Sequence, residues 1–144
     1  MRPAAPLCDS LPEHAMLPGG ERLAAWPTLL IVDNDEAMLQ TLVCYFEKRG
    51  FHVAASTTVA EAKTFLQRRK TWTLVIADYH LPDGTGMELL GWVRERVSAT
   101  TPVLLMSGSV HSASLCAGVD FLAKPFPLSA LESRVRTLLG RMGN

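Results

Sequence analysis

The stretch LVIADYHLPDGTGMELL, residues 74–90, holds an apolar strand, an acidic strand end and the start of a helix in one run. Four apolar residues, 74–77, are too few for a buried helix and are typical of a strand covered on both faces. Asp78 follows this strand directly, and from Gly86 to Val97 the apolar residues recur at the spacing of a helix with one buried face. This order predicts one strand–helix unit of a parallel sheet.

The same order is repeated on both sides of this stretch. Further apolar strands are predicted at 29–32, 52–55, 102–106 and 121–123. Further amphipathic helices are predicted at 38–46, 59–69 and 128–139. Residues 110–117 favour only a weak helix of about two turns. Strands that alternate with helices predict an α/β fold, a doubly wound five-stranded parallel sheet with helices on both faces.

The bulk composition indicates one domain preceded by a short arm. The chain has 144 residues, 48% of them apolar, which is enough for one buried core. Residues 1–27 are rich in proline and show neither helical nor strand periodicity, so we expect a flexible N-terminal arm and a folded domain from 28 to 144. Acidic and basic residues number 14 each, a balance that favours neither nucleic acid nor an anionic membrane as a partner.

The sequence supports neither secretion nor membrane insertion. Residues 1–27 lack the apolar core of a secretory signal, and no apolar run reaches the roughly 20 residues that a membrane span needs. Cys8, Cys44 and Cys116 are widely spaced and fit no metal-binding pattern, so they are interpreted as reduced structural thiols. We therefore expect a soluble cytoplasmic protein.

Polar side chains follow four of the predicted strands at the point where each strand ends. They are Asp33, Asn34 and Asp35 after the first strand, Asp78 after the third, Ser107 after the fourth and Lys124 after the fifth. In parallel sheets, ligands bind at the carboxyl ends of the strands, close to the point where the strand order reverses. The sequence therefore predicts one pocket that contains carboxylates, a hydroxyl and an ammonium group.

These groups match the needs of phosphoryl transfer to a carboxylate. Clustered carboxylates bind a hard cation such as Mg²⁺ through oxygen, and a carboxylate beside that cation can attack phosphorus and form an acyl phosphate. Mg²⁺, the Lys124 ammonium and the Ser107 hydroxyl would then neutralise the three equatorial phosphoryl oxygens. We therefore expect a phosphorylation switch with Mg²⁺ as cofactor and Asp78 as the phosphorylated residue.

Four segments of the sequence resemble the receiver domain of two-component response regulators. They are LLIVDNDEAM at 29–38, LVIADYHLPDGTGMELL at 74–90, PVLLMSG at 102–108 and DFLAKPF at 120–126. The specific part is the combination of D-x-x-L-P at 78–82 with Lys124-Pro125. The resemblance implies a flavodoxin-like fold with strand order 2-1-3-4-5. It also implies phosphorylation of Asp78 by a sensor histidine kinase or a phosphotransfer protein.

For the metal, the resemblance implies ligation by Asp33, Asn34, Asp78 and the backbone carbonyl of His80, whose ring can tune the lifetime of the aspartyl phosphate. The family usually has two adjacent acids after the first strand, and here the second is Asn34. An amide oxygen still coordinates Mg²⁺, but the site loses one negative charge and its affinity for the metal should fall. Asp35 can compensate, although we interpret it as the N-cap of the first helix.

For the phosphoryl group, the resemblance implies catalytic roles for Lys124 and Ser107, with a cis peptide bond between Lys124 and Pro125. Ser107 and Phe121 are the implied switch residues, and a plain core position is the compatible alternative for Phe121. The stretch from Ser107 to Lys124 is shorter than is usual in the family, which shortens the fourth helix and indicates an unusual partner or dimer surface.

We expect a phosphoacceptor without an encoded output domain that signals by contact with a downstream protein, with a homodimer as a further option. It would be no enzyme beyond its own self-catalysed phosphorylation and dephosphorylation. A degenerate receiver that binds partners without phosphorylation is the alternative, favoured by Asn34 and the short fourth helix. A flavin carrier is disfavoured because the loop after the first strand is acidic. A phosphatase-like hydrolase is disfavoured because the chain has no residues to spare for a cap insertion.

Two further features receive structural interpretations. Gly84 and Gly86 lack the spacing of a phosphate-binding loop, so they are interpreted as loosening the loop after Asp78. Trp72 and Trp92 are interpreted as packing residues instead of a binding platform.

Overall fold

The computed structural model describes residues 27–69, 71–108 and 119–142, the last two of these by backbone only. The predicted arm, apart from Pro27, lies outside the described residues, as does the weak helix predicted at 110–117. Within the described residues, no helix combines the length and the apolar character that crossing a membrane requires.

Five parallel strands form the central sheet. The elements in chain order are β1 (Thr28–Val32), α1 (Glu36–Glu47), β2 (His52–Ser56), α2 (Val59–Arg68), β3 (Leu74–Asp78), β4 (His80–Leu81), β5 (Gly84–Thr85), α3 (Gly86–Arg96), β6 (Val103–Ser107), β7 (Phe121–Ala123) and α4 (Leu128–Met142). The sheet has the order β2-β1-β3-β6-β7 and is parallel throughout. When only these five strands are counted, this is the predicted order 2-1-3-4-5, so the predicted fold is confirmed. The short antiparallel hairpin of β4 and β5 was not predicted.

Successive residues of β1 face opposite sides of the sheet, and this alternation creates two separate cores. Leu29 and Ile31 pack into the layer that contains α1 and α4, whereas Leu30 and Val32 pack into the layer that contains α2 and α3. All four side chains are fully buried, each contributing roughly 1.5–3 kcal/mol. A strand that feeds two cores must be apolar at every position, which explains its sequence.

Side-chain caps at the N-termini of α1, α2 and α3 set where the loops at the carboxyl edge end. The Asp35 carboxylate accepts a hydrogen bond from the Met38 backbone N–H, so its interpretation as the N-cap of α1 is confirmed. Thr58 caps α2 in the same way. Thr85 caps α3 in a reciprocal capping box with Glu88. Each cap satisfies backbone N–H groups that would otherwise lack a partner.

The expectation of three reduced thiols is wrong for Cys44. This residue lies on α1, partly buried, and is disulfide-bonded. It is the only cysteine among the described residues.

Candidate functional site

The predicted site residues reach one edge of the sheet because the strands that carry them are parallel. Asp78 is the last residue of β3 and pairs with Met106, next to Ser107 at the end of β6. Ser107 pairs in turn with Ala123, the residue before Lys124. Asp33 directly follows β1, which lies on the other side of β3. Four separate strand ends therefore deliver the polar groups to one place.

Lys124 joins two of the carboxylates through a single ammonium group. Its Nζ lies 2.8 Å from Asp33 Oδ2 and 3.4 Å from Asp78 Oδ2. The side chain of Asp33 is 1% exposed, that of Asp78 12% and that of Lys124 22%. The pocket thus opens to solvent on the side of Asp78 and Lys124, where a reactant can enter, and is closed behind Asp33.

Asp33 is held in place from both sides. Its Oδ1 accepts a hydrogen bond from the backbone N–H of Asp35 at 2.9 Å, while Oδ2 bonds to Lys124. Its own backbone N–H donates to the carbonyl of Ser56 at 3.1 Å. Asp33 is therefore positioned by the local turn and by β2.

The electrostatics of the pocket leave an excess negative charge. Burial raises the pKa of Asp78; the nearby Lys124 ammonium lowers it, and the Asp33 carboxylate adds to the rise. Burial also acts to lower the pKa of Lys124, but hydrogen bonds and charge attraction from Asp33 and Asp78 outweigh it, so that this pKa is raised. Lys124 therefore stays protonated near neutral pH, and one cation faces two acids.

The donor set fits a hard cation, with one acid fewer than the resemblance implies. Asp33 and Asp78 present carboxylate oxygens, and the exposed Asn34 lies next to Asp33 at the same edge. Among the residues that the structure describes, no group of three or more His, Cys, Asp and Glu side chains could hold a metal. Oxygen donors with excess negative charge suit Mg²⁺, but two carboxylates and an amide bind it more weakly than three carboxylates would.

His80 contacts the site through its backbone. Its backbone N–H bonds to the Asp78 carboxylate. Its exposed ring stands edge-on to Tyr79, with centroids 5.0 Å apart. The predicted contribution of a backbone carbonyl to the metal, and of the ring to phosphoryl lifetime, stay predictions.

Ser107 and Phe121 lie on neighbouring strands next to the pocket. Ser107 is 2% exposed, and its carbonyl accepts a hydrogen bond from the Lys124 backbone N–H at 2.8 Å. Phe121 is partly buried against the core of the α2–α3 layer, and its carbonyl accepts from Arg134 Nη1 at 2.7 Å. The peptide bond between Lys124 and Pro125 is cis, as the resemblance implies. The switch roles of Ser107 and Phe121 stay predictions.

Gly86 has a packing role that the sequence interpretation missed. A Cβ atom at this position would lie 2.6 Å from the Asp78 carbonyl oxygen and 2.9 Å from Leu105 Cδ2. The Gly86 N–H also donates to the Tyr79 carbonyl at 2.8 Å. The interpretation of Gly86 as a loosening residue is therefore wrong, because α3 must start in close contact with the backbone of the predicted phosphoacceptor. The glycine was visible in the sequence, but its neighbours were not.

Asp83 ties the loop after Asp78 to a different helix. Its Oδ1 accepts from the Val59 N–H at 2.8 Å and its Oδ2 accepts from the Ala60 N–H at 3.0 Å, at the N-terminus of α2. These backbone hydrogen bonds, that from Val59 first, lower the pKa of Asp83. Helix caps are usually sought within a few residues of the helix, so no local signal could identify one this far along the chain.

The comparisons with known proteins agree on one family. The family described as "Response regulator receiver domain" matches residues 29–136. Among curated relatives, the transcriptional regulatory protein BasR of Escherichia coli is 33% identical, covering 81% of this chain and 54% of the relative. The photosynthetic apparatus regulatory protein RegA of Rhodovulum sulfidophilum is 38% identical, covering 69% and 56%. The chain thus spans about half the length of these relatives.

A solved structure matches this chain over nearly the whole length of the solved protein. It is a response regulator receiver domain protein, described as CheY-like, from Methanospirillum hungatei. The two structures superpose with a TM-score of 0.73 at 26% identity, covering 81% of this chain and 96% of the other.

Proposed function

The chain belongs to the response regulator receiver family, and on that basis we propose that it is a phosphoacceptor switch of a two-component system. Asp78 accepts a phosphoryl group from a sensor histidine kinase or a phosphotransfer protein. The phosphorylated domain then signals by contact with a downstream protein, or by forming a homodimer. Because kinases of this kind draw on intracellular ATP, the proposed place of action is the cytoplasm.

The observation that carries this proposal is the shared contact of Lys124 with Asp33 and Asp78. It brings a nucleophilic carboxylate, a second acid and a cation together at the edge where ligands bind. Phosphoryl transfer needs positioned charge more than it needs further covalent chemistry. A structural ion pair would not require the second carboxylate, because one acid is enough to neutralise one ammonium group.

In the proposed reaction, a carboxylate oxygen of Asp78 attacks the phosphorus of a phosphohistidine. The new O–P bond forms while the donor's P–N bond breaks, and the electron pair of that bond stays on the imidazole nitrogen, which takes up a proton. Lys124 neutralises charge on a phosphoryl oxygen, and the Ser107 hydroxyl donates a hydrogen bond to another. Water later hydrolyses the acyl phosphate and restores the carboxylate. The chain therefore modifies itself and turns over no separate substrate.

Asp33, Asn34, Asp78 and the His80 backbone carbonyl would hold Mg²⁺ in this pocket. When bound, the ion neutralises charge on the phosphoryl oxygens and orients the group for in-line attack. Asn34 lowers the negative charge of the donor set, so a weaker affinity for Mg²⁺ is part of the proposal. Phe121 would report phosphorylation to the surface through a change in the position of its partly buried ring.

Two observations favour a second function, a degenerate receiver that binds partners without phosphorylation. Asn34 stands where the family usually has an acid, and the described residues contain no cluster of three metal-binding acids. Such a domain would keep the fold and the interaction surfaces but would not take up a phosphoryl group. The two functions differ in one measurable property, covalent labelling of Asp78.

Incubation with Mg²⁺ and acetyl phosphate, followed by intact mass spectrometry, separates these functions. We expect the mass of one phosphoryl group to be added, and the addition to be absent from Asp78→Asn. Asp83→Asn is the matched control, because it removes a nearby exposed carboxylate and should still be labelled. A wild-type chain that stays unlabelled at saturating Mg²⁺ would support the degenerate receiver. Labelling that persists in Asp78→Asn would refute the assignment of Asp78.

A further inference from the structure

The layer formed by α2 and α3 contains a groove at the end of the domain away from Asp78. Both helices follow parallel strands, so their N-termini lie at the carboxyl edge of the sheet and their C-terminal ends lie at the opposite edge. The groove between these C-terminal ends has a volume of about 400 Å³. Its lining residues are Leu66, Gln67, Arg69, Trp92, Arg96 and Val97.

The groove combines an apolar interior with a basic rim. Leu66 is 2% exposed and lies at the bottom, while Trp92 and Val97 are partly buried. Arg69 is the C-cap of α2 and Arg96 is the last residue of α3, and both side chains are exposed. A guest in the groove would therefore meet an indole ring and aliphatic side chains, with a guanidinium group at each side.

Two of the three acidic residues in α2 and α3 form hydrogen bonds at the carboxyl edge of the sheet, away from the groove. Glu61 of α2 accepts a hydrogen bond from the Thr57 backbone N–H, and Glu88 of α3 accepts one from Thr85, both at the carboxyl edge. Only Glu95 lies near the C-terminal end of α3. The groove end consequently has more arginines than carboxylates among the described residues of α2 and α3.

Arginines near helix C-termini also have a simpler role, because they complement the negative end of the helix dipole. Arg94 has a different structural role, since its Nη1 donates to the carbonyl of Thr101 in the loop between α3 and β6 at 2.5 Å. Within the described part of the chain, neither Arg69 nor Arg96 donates to a carbonyl, and Arg69 lies over the Trp72 ring with its Cζ 5.9 Å from the ring centroid. The dipole also does not explain why an apolar hollow with a tryptophan lies between them. Lys63, with its Nζ 5.5 Å from the Trp92 ring centroid, adds a third cation beside the hollow.

We propose that this groove docks an acidic segment of a partner protein, with an apolar side chain of that segment inserted against Trp92 and its carboxylates paired with Arg69 and Arg96. Charge complementarity selects the carboxylates, and the apolar interior of the groove selects an apolar side chain between them. Arginine and tryptophan are also the residues that most often dominate binding energy at interfaces. The site is separate from the phosphoryl pocket, so binding does not require phosphorylation.

A nucleic acid fits these observations less well. Phosphate backbones are bound by extended basic surfaces, whereas this chain has equal numbers of acidic and basic residues. The basic residues of the groove are few and surround a concave apolar surface. Binding of a single-stranded oligonucleotide is the competing outcome of the test.

The test uses fluorescence anisotropy with a labelled twelve-residue peptide in which Asp and Glu flank a central Leu-Phe pair. We expect saturable binding to the full chain, lost when the peptide's acids are replaced by their amides. Arg96→Glu should weaken binding at least about tenfold. Lys48→Glu, at the exposed C-cap of α1 on the other face of the sheet, changes the net charge equally and should change binding less than about twofold.

A second variant tests the apolar part of the groove. Trp92→Ala should also weaken peptide binding at least about tenfold, and circular dichroism together with phosphoryl uptake will report whether the domain is still folded. Equal loss of binding in Lys48→Glu and Arg96→Glu would overturn the proposal, as would unchanged binding in Arg96→Glu. Tighter binding of a single-stranded oligonucleotide than of the acidic peptide would overturn it too. Phosphoryl uptake should be retained in Arg96→Glu, so failure of the groove and failure of the phosphoacceptor are distinguishable.

Discussion

Two charge clusters of this protein have opposite compositions. In the pocket cluster, formed by Asp33, Asp78 and Lys124, one cation is shared by two carboxylates. In the seam cluster, formed by Arg49, Glu132 and Arg136 between α1 and α4, one carboxylate is shared by two cations. The pocket cluster is deeply placed and keeps an excess negative charge, whereas the seam cluster is solvated and keeps an excess positive charge.

The seam cluster is centred on Glu132 of α4. Its Oε1 accepts from the Tyr45 hydroxyl at 2.5 Å and from Arg49 Nε at 3.1 Å, both from the α1 side. Its Oε2 accepts from Arg136 at 2.8 Å. The hydrogen bond from Tyr45, followed by that from Arg136, lowers the pKa of Glu132 to about 2. Each of the three charges, on Arg49, Glu132 and Arg136, therefore has a partner.

The difference shows that burial and the balance of charged partners together decide what a carboxylate can do. Asp78 has a cation within reach, yet its pKa is raised because burial opposes its charge. Glu132 is more exposed, has two arginines and the Tyr45 hydroxyl as partners, and its pKa is lowered. A carboxylate at the seam is a stable structural anion, whereas the carboxylate in the pocket is under-compensated and suited to bind a cation or to attack phosphorus.

The largest expected effect is removal of the shared cation from the pocket cluster. Lys124→Met should slow phosphoryl uptake from acetyl phosphate about 100-fold, because a preorganised charge next to the phosphoryl oxygens contributes about 3 kcal/mol. Intact mass spectrometry over a time course measures the rate. Arg136→Met removes a cation from the seam cluster and serves as the control, with an unchanged rate. Equal rates for Lys124→Met and wild type would contradict the assigned role of Lys124.

A backbone change tests whether the pocket depends on the close contact beneath it. Gly86→Ala should lower the free energy of unfolding by about 2 kcal/mol, because the new methyl group overlaps the Asp78 carbonyl and Leu105. Urea denaturation measures the change. Gly91→Ala, on the same helix with no atom within 4 Å of the added Cβ, should stabilise by about 0.5–1 kcal/mol. Similar effects of the two changes would show that the contact at Gly86 is unimportant.

The pH dependence of Asp78 has a defined sign. Its pKa is raised in the folded state, so the ionised carboxylate opposes folding at neutral pH, and this opposition disappears once the group is protonated. Asp78→Asn should therefore stabilise the domain by about 1 kcal/mol at pH 7, with the gain fading as the pH falls towards about 4. Urea denaturation at several pH values measures it.

The control for this prediction has the opposite sign. Asp83→Asn should destabilise the domain at pH 7, because the pKa of Asp83 is lowered by its bonds to Val59 and Ala60. Destabilisation by Asp78→Asn at pH 7 would mean that Lys124 compensates the charge of Asp78 fully, and the contrast between the two clusters would fail.

The smallest expected effect concerns the seam cluster. Glu132→Gln should lower the free energy of unfolding at pH 7 by less than about 1 kcal/mol, since exposed ion pairs are screened by water and salt. The pKa of Glu132 is lowered from 4.5 to about 2, so its contribution is present above pH 4.5 and is lost as the pH falls through this window. Denaturation curves with and without added salt measure it. An effect that is large and insensitive to salt would show that the seam is as poorly solvated as the pocket.

Much of the fold was predictable from residues 74–90 and their repeats. Strands buried on both faces must be apolar throughout, and helices with one buried face must be periodic, so both leave a local record in the sequence. The short hairpin of β4 and β5 leaves no such record, because two-residue strands are held by the loop around them. The disulfide of Cys44 was missed because spacing along the chain does not report distance in space.

The site also contains some residues that the sequence could predict and others that it could not. Asp33, Asp78, Ser107 and Lys124 could be placed at one edge because each follows a strand, and parallel strands end together. Asp83 could not be assigned to the N-terminus of α2, since its partners lie 24 and 23 residues earlier in the chain. The interpretation of Gly86 was wrong because the atoms that exclude a side chain there come from β3 and β6.

The sequence by itself determined the order of strands and helices, the polar residue types at the strand ends and the likeness to receiver domains. These properties depend on which residues neighbour one another along the chain. Only the tertiary structure decided that Lys124 bridges Asp33 and Asp78, that Asp78 and Glu132 shift in opposite directions, and that a basic apolar groove lies between α2 and α3. Distance, burial and electrostatic environment arise when remote segments meet, and no local pattern specifies them.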